Sequence, residues 1–432
     1  MDTKETPEKK KIKPDLPGGF RDYGFSEMAA KQNLIDTFRQ TAESFGFDPL
    51  ETSSVQKTEV LTGGEETASK IIFNVKGARD ESEELSDTSL RFDLTVPLAR
   101  FLAANPEIPK PFRRYEIGKV WRGERQQAGR YREFTQADVD IVGSPLLEAD
   151  AEIISFMYQF LKKLGLDKFT IKINFRDEAT AMLEKYGVAR EQQIPTLIEV
   201  DKKEKLAPEE WEKRINLISG LKEKRVKDYI KEITGEPSSD SKYNNLKKLL
   251  VGLGVDERNI KYDGAIVRGL AYYTGTVFET ILNDYPEIGS FFSGGRYDNL
   301  IESFTGQKIP AVGVSLGVDR LMTAWNKLAP PAGGLLKEKN TARVLVLRLL
   351  EDIQNYTEIV NDLRGAGIGT EFYLGKEDTM QAQFAYALKK EFPFVLIYGE
   401  EEKKKGMVSI KNLQTREQKE IPKSKILDYF KK

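Results

Sequence analysis

Two strand-like stretches, Tyr115–Arg122 and Phe134–Val142, follow one another with only a loop rich in Arg, Gln and Gly between them. Consecutive strands joined this way pair antiparallel, because a parallel partner needs a long crossover, usually a helix. In the second stretch Gln136, Asp138 and Asp140 alternate with Ala137, Val139 and Ile141, so one face is polar and the other apolar. Further strand-like stretches lie at Phe169–Phe175 and Ile266–Leu282. Amphipathic helices fall between these groups: one from Ser26, with Ile35, Phe38, Ala42 and Phe45 on one stripe and Gly46 as its stop, and one over Leu147–Leu164. Strands after strands with helices between groups predict an α+β fold, an antiparallel sheet flanked by helices, and argue against repeating βαβ units.

The rest of the chain divides by character. Residues 1–16 are charged, offer no periodic apolar face and read as a disordered lead. Residues 17–177 form a first part of a core. Residues 178–255 are dense in charge of both signs, with helical stretches such as Pro208–Lys231, and read as a helical insertion. Residues 256–329 return to the core, and 330–340, opening Pro330-Pro331-Ala332-Gly333-Gly334, read as a linker. From 341 to 432 strand and helix alternate (344–349, 352–365, 369–373, 378–390, 393–398), which predicts a small α/β domain.

Composition excludes several chemistries. The chain has 432 residues, with 67 Lys+Arg against 68 Asp+Glu and a net charge of −1, so it is not a uniformly basic nucleic-acid coat. No apolar run approaches the ~20 residues of a membrane span, and Met1–Asp15 lacks the apolar core of a secretory signal, which predicts a cytoplasmic protein. With no cysteine, thiolate zinc sites, disulfides and Cys nucleophiles are excluded; with no histidine, so is every imidazole base, triad or metal ligand. Catalysis is left to carboxylates, Arg, Lys, Tyr, Gln or a bound metal.

Neither a GxxxxGK[ST] phosphate loop nor a strand-linked GxGxxG occurs, so a bound nucleotide would need Arg and metal to hold it. The densest candidate is the hairpin from Phe112 to Phe134. It carries Arg122 and Glu124 two apart, expected on one face of a strand, and then a loop with Arg125, Gln127 and Arg130. Guanidinium groups match phosphate and a carboxylate can accept from an amine; composition alone favours a solvated charged hairpin. Asp93 and Thr95 share a side in Arg91-Phe92-Asp93-Leu94-Thr95-Val96-Pro97, where Thr95 is a good helix N-cap and Asp93 has no structural explanation. Val267–Glu279 offers Arg268 with Tyr272 and Tyr273, a tyrosine pair that packing alone would explain. Ser293–Asp298 reads as a glycine turn feeding a helix capped by Asp298, and Val312–Leu321 as a strand running into a helix that bears Arg320.

In this order the segments resemble the histidyl-tRNA synthetase family of class II aminoacyl-tRNA synthetases over roughly residues 15–432. Arg122/Glu124 in the hairpin resemble class II motif 2, and Gly313–Leu321 resembles motif 3. Val267–Glu279 and Ser293–Asp298 resemble the two histidine-specific signatures, and the 341–432 tail an anticodon-binding domain. The chain departs from the pattern with Thr52-Ser53-Ser54 in motif 1, Ala271 where Asp is common and Phe175 where His is common.

The resemblance implies ATP-dependent activation of L-histidine to histidyl-adenylate and its transfer to the 3′ end of histidine tRNA. It implies Arg122 and Arg320 on the ATP phosphates, Glu124 on the adenine amine and Mg²⁺ bridging phosphates without a direct protein ligand. Asp93, Thr95 and Gln136 would hold the substrate's α-amino group. Asp140 and Tyr273, with Tyr272 beside them, would meet the imidazole, and Arg268 the carboxylate and the charge growing on the α-phosphate. Arg125 and Gln127 would meet the acceptor end of the tRNA, and the protein would be a homodimer. An enzyme that charges histidine and contains none could be translated when charged histidine tRNA is scarce. The rival reading is a non-catalytic paralogue, a regulatory subunit of histidine biosynthesis or a tRNA sensor.

Overall fold

A computed structural model describes residues 12–63, 71–77, 86–124, 130–267, 273–327 and 341–430. The expected 330–340 linker and Arg125, Gln127, Arg268 and Tyr272 lie outside the described residues. The chain forms two compact units, Met1–Asp22 with Leu34–Ala329, and Tyr23–Asn33 with Pro330–Lys432.

The larger unit is built on an eight-stranded sheet. Its strands are β1 (Asp48–Pro49), β5 (Phe112–Trp121), β6 (Glu133–Val142), β7 (Phe169–Phe175), β8 (Ile260–Tyr262), β9 (Thr276–Leu282), β10 (Phe292–Arg296) and β11 (Ala311–Gly317). Their spatial order is β1-β5-β6-β11-β10-β9-β7-β8, parallel at the two outer pairs and antiparallel elsewhere. A separate three-stranded antiparallel sheet holds β2 (Val55–Lys57), β3 (Phe73–Asn74) and β4 (Thr88–Leu90) in the order β2-β4-β3. The expected helices form at Phe25–Ser44 and Leu147–Lys163. Phe38 of the first meets Phe156 and Phe160 of the second edge-on, at ring-centroid distances of 5.2 and 5.5 Å. All three are fully buried, each contributing roughly 1.5–3 kcal/mol of hydrophobic stabilisation.

Register decides what the sheet presents. Directly opposed residues of neighbouring strands share a face, and one such row crosses six strands: Glu116, Asp138, Ser315, Ser293, Glu279 and Lys172. The adjoining row is Arg114, Asp140, Gly313, Gly295, Val277 and Asn174. One face of the sheet therefore carries a band of charged and polar side chains across its central strands, buried at Glu116, Asp138, Asp140, Glu279 and Lys172.

Three expectations change. The stretch Ile266–Leu282 is not one strand: β9 begins only at Thr276, and residues 263–267 cross as a separate strap whose apolar side chains serve a different core. Gly294 and Gly295 lie within β10, in the middle of the sheet, and do not form a turn; the Asp298 carboxylate accepts from the Thr274 hydroxyl (2.8 Å) and caps no helix. Residues 208–231 form two helices, Pro208–Ser219 and Glu223–Ile233, separated at Gly220.

In the smaller unit a five-stranded sheet runs β13 (Thr370–Phe372), β12 (Val344–Val346), β14 (Phe394–Ile397), β15 (Met407–Asn412), β16 (Gln418–Pro422). Alternation along β12 covers both faces. Val344 and Val346 pack with Tyr356, Ile359 and Leu363 of helix Gln354–Gly365, while Leu345 packs with Ala387 of helix Met380–Lys389.

Candidate active site

The polar face of the large sheet forms the floor of a cleft of roughly 300 Å³. Asp93, Thr95, Arg122, Glu124, Gln136, Tyr273 and Arg320 all line it, so seven of the residues singled out from the sequence, spread over 228 positions of chain (93 to 320), meet at one place. Arg130, Tyr131, Phe134, Ser290, Ser293, Ser315 and Asp319 complete the walls.

Asp93 sits just before helix Thr95–Ala104. The capping role expected of Thr95 is taken by Asp93: its Oδ1 accepts from the Val96 N–H at 3.1 Å, and Thr95 is already the first helical residue. The other oxygen, Oδ2, is buried and has no hydrogen-bond partner among the described residues. Burial lifts this carboxyl to about 6, against the pull of the Val96 N–H and the Arg122 and Arg114 guanidinium groups. A buried acceptor left unpaired at a cleft is poised for a donor brought by a ligand.

Arg122 and Glu124 follow the end of β5 and are not part of the strand, yet both reach the cleft. The Arg122 guanidinium is aimed by its neighbours: Nε donates to the Phe92 carbonyl (3.0 Å), Nη2 to Gln136 Oε1 (3.4 Å), and the group lies 5.1 Å from the centre of the Phe134 ring. Arg320, on helix Val318–Lys327 directly after β11, donates through Nη1 to the Ser290 carbonyl at 2.5 Å. Two guanidinium groups thus enter the cleft from different elements, a geometry suited to a polyphosphate.

Asp140 is not on the lining. It is buried beneath the cleft, with Arg114 Nη2 at 2.9 Å from Oδ2 and the Tyr297 hydroxyl donating to Oδ1 at 2.5 Å. Gly313 opposite makes this possible: a Cβ there would stand 1.8 Å from Asp140 Oδ1. Behind lies a buried ion network, with Arg91 Nη1 2.8 Å from Glu116 Oε1 and Arg114 Nη1 3.4 Å from Glu116 Oε2. Asp138, between Gln136 and Asp140, receives the Gln136 amide at 3.4 Å; burial pushes its carboxyl up to about 8, opposed by Arg114. Glu116, Asp138 and Asp140 face the arginines Arg91 and Arg114, so the floor carries more acid than base. Arg91, Arg114 and Glu116 escaped the sequence reading; the available signal was an arginine and a carboxylate inside a strand otherwise fit for burial.

A mostly antiparallel sheet whose cleft face is met by two arginines from separate elements is the architecture of the class II aminoacyl-tRNA synthetases. The family model described as histidyl-tRNA synthetase matches residues 19–321, and that of an anticodon binding domain matches residues 343–432. A histidine–tRNA ligase of Clostridium tetani is 37% identical over 95% of this chain and 96% of its own length. One of Wolinella succinogenes is 38% identical over 94% and 96%. The crystal structure of histidyl-tRNA synthetase from a Nostoc species superimposes with a TM-score of 0.86 at 28% identity, covering 98% of this chain and 99% of that one. The chain belongs to the histidyl-tRNA synthetase family.

Among the described residues no helix is long and apolar enough to cross a membrane.

Proposed function

We propose that this chain activates L-histidine with ATP and transfers it to the 3′ end of histidine tRNA, as a cytoplasmic homodimer. The observation that carries the reading is the convergence of Asp93 Oδ2, an unpartnered buried acceptor, with Arg122, Arg320 and Tyr273 on one cleft. The substrate ammonium would dock at Asp93, Thr95 and Gln136, and the triphosphate between Arg122 and Arg320, with Glu124 at the adenine amine. Mg²⁺ enters with ATP, on its phosphates.

A histidine carboxylate oxygen then attacks the α-phosphorus, the bond to the β-phosphate oxygen breaks, and pyrophosphate leaves with its electron pair. The terminal ribose hydroxyl of the tRNA next attacks the acyl carbon, its proton passes to a phosphate oxygen of the adenylate, the acyl C–O bond to phosphate breaks, and AMP departs. Neither step needs an imidazole base. Positioning and charge stabilisation carry the first, with Arg268 placed by family resemblance on the carboxylate and α-phosphate. Arg125 and Gln127 are assigned on the same ground to the tRNA acceptor end, and Tyr272 to the imidazole.

Asp140 acts on the imidazole from below the lining. It fixes the Tyr297 hydroxyl and, with Arg114, the charge of the floor, while Tyr273 meets the ring from the wall. A pocket that pairs both ring nitrogens rejects apolar analogues without editing, because they leave buried polar groups unsatisfied. The regulatory reading is the less supported of the two, since Arg122 and Arg320 both line the cleft.

Amino-acid-dependent ATP–pyrophosphate exchange with all twenty amino acids tests this. We expect exchange with histidine alone in the parent and its loss in Arg268→Ala. No exchange with any amino acid, from folded protein with Mg²⁺, overturns the proposal.

A further inference from the structure

Five helices, Arg176–Tyr186, Arg190–Val200, Pro208–Ser219, Glu223–Ile233 and Lys242–Gly252, separate β7 from β8. The first four enclose an apolar core that includes Leu183, Leu197, Trp211, Val226 and Tyr229. Two members of that core come from elsewhere: Ala265 and Val267, each 4% exposed, on the strap that follows β8.

The strap is held from both sides. On the sheet side, Asn174 Nδ2 of β7 donates to the Gly264 and Ile266 carbonyls at 2.9 Å each, and the Asp263 N–H donates to the Ile173 carbonyl at 3.1 Å. On the helical side, the Gly264 backbone presses so closely on Glu223–Ile233 that a Cβ would lie 2.1 Å from the Ile233 carbonyl oxygen. The last anchor is Asp201, whose Oδ1 accepts from the Val267 N–H at 3.3 Å. Asp201 sits at the C-terminal end of helix Arg190–Val200, where the helix field disfavours a carboxylate. An acid cannot cap that end, and Asp201 instead accepts across the gap from the strap.

Val267 immediately precedes Arg268 in the chain, so what holds the Val267 backbone limits where the next residue can start. We propose that the helical insertion positions the activation chemistry: its core and Asp201 fix the backbone at Val267 and so the point from which the chain delivers Arg268. Asp201 is a positioning residue, and the inference rests on the reading of Arg268 given above. It assigns the insertion a part in the first half-reaction, before any tRNA is bound.

The test uses the full chain. Asp201→Ala removes the acceptor; Asp201→Asn keeps an oxygen for the Val267 N–H. Histidine-dependent ATP–pyrophosphate exchange is measured for both, with thermal unfolding midpoints. A displaced reacting group costs rate more than substrate binding. Asp201→Ala is therefore expected to lower kcat by about tenfold or more, with the KM for ATP unchanged and the midpoint near the parent's. Asp201→Asn is expected to recover most of the rate, and adding Asp201→Ala to Arg268→Ala to cost nothing further. If Asp201→Ala shifts the midpoint strongly, Asp201→Glu, which keeps the charge but moves the acceptor by one methylene away from the Val267 N–H, carries the same expectation.

Parental kcat in Asp201→Ala, or equal losses in the Ala and Asn variants, overturns the inference. Parental exchange in Arg268→Ala instead overturns the reading of Arg268. The two failures are distinct: an inactive Arg268→Ala beside a fully active Asp201→Ala leaves Arg268 standing and removes the insertion from the chemistry.

Discussion

Asp93 divides its carboxylate between structure and cleft, Oδ1 closing the first turn of a helix while Oδ2 is left buried without a partner among the described residues. Asp93→Asn keeps an oxygen for the Val96 N–H and removes the charge that would face a substrate ammonium. Hydrogen bonds to charged groups are worth about 1.5–3 kcal/mol, so the KM for histidine should rise by roughly 10- to 150-fold in exchange assays while the fold is kept. An unchanged KM would place the substrate amine elsewhere. The sequence marked Asp93 because no local structural role was visible for it; the structure supplies that role and still leaves one oxygen over. Asp140 shows the reverse. Its alternation with Gln136 placed it on the same face, but the missing side chain at Gly313 and the reach of Arg114 and Tyr297 set its depth, and these come from distant parts of the chain.

At the scale of elements, strand-after-strand order and helix spacing were legible because each is a local periodicity. What was not legible was the partner. The strand-like composition of Ile266–Leu282 spans residues that serve different structures: Val267 belongs to a helical core, while Thr276–Leu282 forms β9 of the large sheet. Likewise Gly294-Gly295 carries a turn's composition, but these glycines are needed where neighbouring strands and rings crowd the sheet face. A Cβ at Gly294 would meet the Gly313 carbonyl oxygen at 2.3 Å, and one at Gly313 would drive Asp140 from Arg114. Gly313→Ala should therefore lower stability by about 1–3 kcal/mol through overpacking, read as a fall in the urea midpoint with unchanged m-value. A midpoint equal to the parent's would mean that β6 and β11 can part without cost.

The molecule as a whole has no histidine, and among the described residues buried carboxyls move toward neutral pH instead. Asp138 is the clearest, held at about 8 against an ordinary 3.8. Between those values the native protein keeps a proton that the unfolded chain has released, so this group's contribution to stability declines as pH rises from about 4 to 8 and is level above. Burial sets the direction; Asp140 on its own strand and Asp93 from the helix start add to it, while Arg114 from β5 and the Ser315 hydroxyl from β11 oppose it. Asp138→Asn should flatten that decline, with the stability of the variant relative to the parent increasing between pH 5 and pH 8 in urea unfolding. Parallel curves would show the carboxyl already ionised.

The glycines in the floor also bear on redesign toward bulkier amino acids. Specificity is usually widened by trimming a side chain beneath the ligand, but at Gly313 and Gly295 there is none to trim, and the next atoms down belong to an ion network that holds the sheet together. Room for a larger substrate would have to be cut from the walls, at Tyr273 or Phe134, so variants selected for new amino acids should gather there and spare the sheet.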